Sequence, residues 1–364
     1  MISTSTRNSE LVESFDKVRS QTTFLCEPLE IEDFVVQPVV DVSPLKWHLA
    51  HTTWFFEAFI LSKFLSNYQV FHADYGMLFN SYYIAAGDRW IRAARGQLTR
   101  PTVKEIFEYR EYVNEKMHHL LEVAEVEKEI EDLINVGIHH EQQHQELFLY
   151  DIKRILGDNP LHPIYRKQKN APLSVANSSE KWLSVDEGIY EVGSCGKQFH
   201  FDNEEGLHKV FLHAFSIRSS LVTNQEYLEF IEDGGYFNHV YWFSEAWDWL
   251  QKNKIESPRY WVKEEGEWHS YRLDGFEKIE KNAPVMHVSF YEADAFAKWK
   301  GYRLPTEFEW EVACKKYEPS ISTKSNFIEQ KNWKPVPTGT FDFYGNLWEW
   351  TSSPYIAYPF YKAA

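Results

Sequence analysis

The 364-residue chain has little cysteine, no long apolar run and no concentration of basic residues, and each absence removes a class of function. Its three cysteines, Cys26, Cys195 and Cys314, are odd in number and far apart. That is no disulfide framework, and it points to a reducing compartment, the cytoplasm. No stretch approaches the ~20 apolar residues of a membrane span. The opening MISTSTRNSELVESF lacks the basic start and apolar centre of a secretion signal. Lys and Arg number 38 against 54 Asp and Glu, a formal net charge of -16. With no basic cluster set against that field, phosphate backbones are repelled, and neither nucleic acid nor membrane is expected as a partner. Internal repeats are also missing.

What the chain has in quantity is aromatic rings, 14 Trp, 21 Tyr and 26 Phe, with most of the Trp after residue 180. The two halves therefore differ in composition, and the length predicts more than one domain.

Up to about Gly157 the apolar residues follow a helical period. A first helix is predicted over Ser9 to about Leu25. A second starts at Ser43-Pro44, read as an N-cap followed by proline at the first helical position, and runs through WHLAHTTWFFEAFILSKF. A third starts at Thr102, where Glu105 completes a capping box. The fourth runs from about Val126 to Leu156 and closes at Gly157, ahead of Asn159-Pro160. Four long amphipathic helices predict a four-helix bundle over residues 1–160. The connection 66–101, carrying FNSYYIAAGDRWIRAARGQLTRP, is too long for an idle loop and is read as functional. Residues 161–182, rich in Pro, Asn and Ser, are read as a linker. Over 183–364, β-like runs (GIYEVGS, HKVFLHAFSI, APVMHVSF) and two helices (VTNQEYLEFIEDGG, SFYEADAFAKWKG) predict an α+β domain.

The strongest local signal is GIHHEQQHQELFLYDIK. On a helix His140 and His144 stand at i and i+4, so both imidazoles leave one face and can reach one metal ion at about 2.0–2.2 Å. The second helix offers His48 and His51, either of which can supply a third nitrogen from a facing helix. Three neutral nitrogens leave coordination positions open for substrate or dioxygen. The plainer reading is that these are packed or incidental residues among 15 histidines. A sharper competitor exists, because His140-Glu141-Gln142-Gln143-His144 also spells H-E-x-x-H, the zinc-hydrolase motif with Glu141 as general base.

The segments WHLAHTTWFFE, FNSYY, RGQLTRP, HHEQQHQELFLYDIK and NPLHPIY resemble the DinB-like N-terminal domain of the ergothioneine-biosynthesis sulfoxide synthases. The second half is similar to the domain that follows it there, a C-type-lectin-like α+β fold shared with formylglycine-generating enzymes. Its matching runs include FDNEEGLHKVFLHAFSI, VTNQEYLEFIEDGGY, APVMHVSFYEADAFAKWKGYRLPTEFEWE and GNLWEWTSSPY. The resemblance covers almost the whole chain in the family's order.

It implies a non-haem Fe(II) enzyme that uses dioxygen to couple a thiol, cysteine or γ-glutamylcysteine, to C2 of hercynine, with oxidation of the sulfur to a sulfoxide. By position, the resemblance makes His51, His140 and His144 the iron ligands, choosing His51 over His48 and His140 over His139. In that setting Arg92 and Arg95 are candidates to grip the thiol substrate's carboxylate. Gln143 is a candidate hydrogen-bond partner for the hercynine imidazole. Tyr82 and Tyr83 of FNSYY are candidate proton donors near iron. Each has a plain alternative as a loop charge, a polar helix residue or packing. Trp348, Trp350, Tyr355 and Tyr358 are candidates to face the quaternary ammonium of hercynine, though most of these rings are expected in the core. In the family the second domain continues past YPFYKAA, so the chain is expected to be incomplete at its C-terminus. Remaining alternatives are an ovothiol-type or selenium-inserting relative, a DinB-like metal-dependent thiol transferase, formylglycine-generating activity, and a non-catalytic binding module.

Overall fold

The computed structural model describes residues 4–81, 89–123, 126–167, 181–196, 199–322, 325–336, 341–359 and 361–362. The chain divides into two compact units, Met1–Tyr165 and Arg166–Ala364. Tyr165 is buried and donates from its hydroxyl to the Leu25 carbonyl (2.7 Å), so the bundle reaches further than residue 160.

The first unit is built on α1 (Thr4–Cys26), α2 (Leu45–Phe56), α5 (Val103–Val123) and α6 (Lys128–Gly157). α2 packs on α5 and α6, and α1 on α6 and α5. Every residue of α2 is buried, which makes it the central helix. It runs on through a π-helical turn, Glu57–Leu61, into the short α3 (Ser62–Phe64). Buried Glu57 then fastens the chain that follows. Its carboxylate accepts from the Tyr68 hydroxyl (2.7 Å), the Phe71 amide (2.9 Å) and the Tyr109 hydroxyl (2.6 Å). From there the chain passes through α4 (Tyr75–Phe79) toward the segment Arg92–Gln97.

The capping box at Thr102 is present. Thr102 Oγ1 accepts from the Glu105 amide (3.2 Å), and Glu105 accepts from the Thr102 amide (2.7 Å). The start of α2 differs from the sequence expectation. Pro44, not Ser43, is the N-cap, and no side chain caps the helix. Ser43 is instead drawn into tertiary contacts: its amide donates to Asp151 (3.0 Å), and its hydroxyl accepts from Arg95 (2.9 Å).

α6 approaches α2 closely at Gly137. A Cβ there would fall 2.7 Å from the Phe56 ring and 3.1 Å from Phe55. Only a residue without a side chain lets the two helices meet, and His140 lies one turn further along α6.

In the second unit, β1 (Trp182–Val185) pairs antiparallel with β4 (Phe215–Arg218), and β2 (Gly188–Val192) with β3 (His208–Leu212). β5 (Trp261–Glu264), β6 (Glu267–Arg272) and β7 (Gly275–Lys278) form a meander. α7 (Asn224–Glu232), α9 (Phe290–Trp299) and α10 (Glu307–Tyr317) each start with a complete capping box, from Thr223, Ser289 and Thr306; α8 is Ser244–Asn253. One core gathers Tyr227, Phe230, Trp242, Trp261 and Phe296. Another packs Val312 and Cys314 of α10 with Leu183, Val185 and Val192.

The expected strand APVMHVSF is not formed. Pro284 makes only an isolated bridge with Thr223, and Ser289 already belongs to the cap of α9. Proline has no amide hydrogen to give to a ladder. No helix among the described residues is long and apolar enough to cross a membrane.

Candidate metal centre

Three imidazoles meet inside the bundle. His51 comes from α2, and His140 and His144 from successive turns of α6; one nitrogen of each lies within 4.8 Å of the others. The ring centroids are 4.7–4.9 Å apart and the planes stand 60–79° to one another. Rings so inclined bring nitrogens together without stacking, as ligands of a common ion must. His51 is 1% exposed, His140 8% and His144 9%, so the cluster is buried.

The surroundings decide which nitrogen of each ring is available. His51 Nδ1 lies 2.5 Å from the Phe79 carbonyl, which can only accept. Nδ1 therefore carries the proton, and the lone pair of His51 sits on Nε2. The His51 ring is also held by stacking, with Trp47 at 4.5 Å and 13°, and Trp54 at 5.8 Å and 20°. The Arg95 guanidinium in turn lies 3.3 Å from the Trp47 ring centroid.

His144 is engaged by the residue that spacing left as a rival ligand. His48 Nδ1 is 2.9 Å from His144 Nδ1, and His48 Nε2 is 2.9 Å from Asp151 Oδ2. His140 packs against Phe55 (5.0 Å), and its Nδ1 is buried with no hydrogen-bond partner.

Burial pushes all three imidazoles down. His51 falls well below 6.5 through burial and the neighbouring His140, His144 falls likewise through burial and His51, and His140 falls to about 4 through burial. Arg95 adds to the effect on His51 and His144. All three rings are neutral at pH 7, the state that donates to a metal. A buried nitrogen of His140 without a partner, the lone pair left on His51 Nε2 by its fixed Nδ1 proton, and neutral rings together fit a bound divalent ion.

Glu141 does not fit a metal-directed base. It is fully buried, with Oε2 accepting from Arg19 (2.9 Å) and Oε1 from Thr22 (2.6 Å) and Arg110. Burial raises its pKa, but the Arg110 and Arg19 charges and the Thr22 hydroxyl outweigh that and hold it at about 2. Arg19 also donates to Asn114 (2.7 Å) and Thr53 (3.1 Å), so this network ties α1, α2, α5 and α6 together. The Glu141 of H-E-x-x-H is a hub of the bundle.

Of the remaining sequence candidates, Arg95 is buried against Trp47, whereas Arg92 is exposed and donates to the Asp41 carbonyl. Gln143 is exposed on α6. Tyr82 and Tyr83 lie outside the described residues. In the second unit, the expectation of mostly core aromatics is reversed. Trp348 and Tyr355 are each 87% exposed and Trp350 half exposed, and only Tyr358 is buried.

Sequence reasoning missed Trp47, Asp151 and the supporting role of His48. A signal for Asp151 existed: it stands seven residues after His144, two turns along the same helix face.

Residues 14–148 match the DinB superfamily, and residues 167–360 match the sulfatase-modifying factor enzyme 1-like domain. The chain is 30% identical to proteins named hercynine oxygenase from Mycobacterium tuberculosis and Mycolicibacterium smegmatis, over 61% of this chain and 56% of each relative. It is 25% identical to the formylglycine-generating enzyme of Bos taurus, over 52% of this chain and 63% of that protein. The chain spans about half the length of the hercynine oxygenases it matches. With more than half its length in that match, and a DinB-superfamily bundle ahead of it, the chain belongs to the sulfatase-modifying factor enzyme 1-like family.

Proposed function

We propose that this chain is a non-haem iron(II) enzyme that uses dioxygen to join a thiol, cysteine or γ-glutamylcysteine, to C2 of hercynine as a sulfoxide. The carrying observation is the buried cluster of His51, His140 and His144, three neutral rings with a lone pair each to give. The likeness to proteins named hercynine oxygenase supports the choice of substrate. In the reaction, the thiol S–H and the C2–H bonds are lost and C–S and S=O bonds form. Dioxygen takes up four electrons, one oxygen entering the sulfoxide and the other leaving as water.

Iron(II) held by these nitrogens supplies redox chemistry toward dioxygen and favours the deprotonated thiol. The protein's own part is positioning and proton supply. Trp47, Trp54 and the Phe79 carbonyl fix the His51 ring. We assign Arg95, with Arg92 beyond it, to the thiol substrate's carboxylate; Gln143 to the hercynine imidazole; and Tyr82 or Tyr83 to proton donation. Three free cysteines suit work in the reducing cytoplasm.

The competing zinc-hydrolase reading needs Glu141 to face a metal-bound water, and Arg19, Arg110 and Thr22 hold both its oxygens. Anaerobic loading with iron(II), then hercynine with cysteine or γ-glutamylcysteine, then oxygen, should yield the sulfoxide by mass analysis with one dioxygen consumed per product. Tight zinc binding with no oxygen uptake refutes the proposal; product from histidine rather than hercynine moves it to the ovothiol-type relatives.

A further inference from the structure

We infer that His48 and Asp151 are positioning residues that set which nitrogen of His144 is offered to the metal, an inference that rests on the metal-centre reading above. The hydrogen-bond chain runs from Asp151 Oδ2 to His48 Nε2 (2.9 Å) and from His48 Nδ1 to His144 Nδ1 (2.9 Å). A carboxylate can only accept, so His48 Nε2 holds a proton. With its one ring proton given to Asp151, His48 keeps a lone pair on Nδ1, and that atom accepts from His144 Nδ1. His144 is thereby protonated at Nδ1 and left with its lone pair on Nε2. In the opposite arrangement His144 would carry its proton on Nε2 and lose the donor atom on that side. A carboxylate two bonds removed thus selects the tautomer of a ligand, as outer partners of metal-bound histidines do.

The carboxylate is itself held in place. Asp151 Oδ2 also accepts from the Ser43 amide (3.0 Å), and Ser43 Oγ accepts from Arg95 Nη1 (2.9 Å). All the side chains in the chain are buried, with Asp151 1% and His48 5% exposed, so water does not compete for these bonds. His51 reaches the same result by a separate route, its Nδ1 proton going to the Phe79 carbonyl. The two ligands on different helices are therefore preset independently.

The test is metal affinity and ring tautomer in the full chain, with iron(II) under anaerobic competition against a chromophoric chelator and 15N imidazole shifts before loading. His48→Phe keeps the ring but removes both nitrogens, and Asp151→Ala removes the acceptor. Each should weaken iron(II) binding about 10- to 100-fold and leave His144 a mixture of tautomers. His48→Gln, whose amide can accept from His144 and donate to Asp151, should recover much of the affinity. Should His48→Phe not fold, Asp151→Ala and the Gln variant decide with the same outcomes.

Wild-type affinity and an unchanged His144 tautomer in both disruptive variants would overturn the inference while leaving the metal centre standing, provided His140→Ala abolishes binding. If the wild type binds no iron(II), or His140→Ala binds as well as wild type, the metal-centre reading fails and this inference goes with it.

Discussion

Trp47 lies flat on His51, their planes 13° apart and their centroids 4.5 Å from each other. The indole thus fixes the plane of a ligand while the Phe79 carbonyl fixes its rotation. Trp47→Leu removes the stack and the face against which Arg95 packs. The variant should lose about 2–4 kcal/mol of stability, near the range of large-to-small core substitutions, and bind iron(II) several-fold more weakly. Denaturant unfolding and chelator competition measure the two effects.

Glu141→Gln separates the two readings of H-E-x-x-H. Removing the carboxylate leaves Arg19 and Arg110 buried without their shared counter-ion, which costs about 3–5 kcal/mol. The expected outcome is a marked loss of thermal stability with turnover per folded, metal-loaded molecule retained. Full stability with abolished turnover would restore Glu141 as a catalytic base.

Gly137→Ala reverses the usual helix preference. Alanine stabilises an exposed helix interior by about 1 kcal/mol over glycine, but here its methyl meets Phe56 and Phe55. The variant should melt lower than wild type and also bind metal less tightly, because α6 carries His140 and His144 away from His51. Unfolding curves and iron titration on one preparation test both.

The second unit should lose stability in acid through two of its capping boxes, those of Thr223–Glu226 and Thr306–Glu309. In Glu226, burial raises the pKa but Arg218 and Thr223 outweigh it; in Glu309 the same balance is struck by Arg303 and Thr306, so both folded values lie below 4.5. A depressed carboxylate contributes stability above the unfolded pKa and loses it as pH falls through the folded value. Stability measured by tryptophan fluorescence should weaken as pH falls below about 4.5, and Glu309→Gln should flatten part of that slope.

For the tyrosines, Tyr82→Phe and Tyr83→Phe should divert turnover toward oxidation of the thiol without C–S bond formation. Product analysis reads the split directly, and an unchanged sulfoxide yield in both variants removes them from the chemistry.

Periodicity carried much of this architecture because helix signals are local. The Thr102–Glu105 box, the stripe of His140 and His144, and the helices following Thr223 and Ser289 all rest on residues within four positions of each other. Ser43 departs from the expected N-cap for the opposite reason: its hydrogen bonds go to Asp151 and Arg95, 108 and 52 residues away. His48 and His51 could not be told apart by spacing, since both leave α2 on nearby faces. Asp151 beside one and Phe79 beside the other distinguish them, and both contacts are long-range. α8 and α10 do carry local signals, Ala246 and Leu250 four apart on the buried face of α8 and the Thr306–Glu309 box before α10, whereas the meander β5–β7 shows no strict alternation of buried and exposed residues.

The stacking of Trp47 and Trp54 around His51 also makes the centre its own optical indicator. An open-shell ion bound to His51 would sit close enough to quench both indoles, while the many tryptophans of the second unit supply a steady background. Loading could then be followed in unmodified protein by the fractional loss of emission, with no added dye and no turnover.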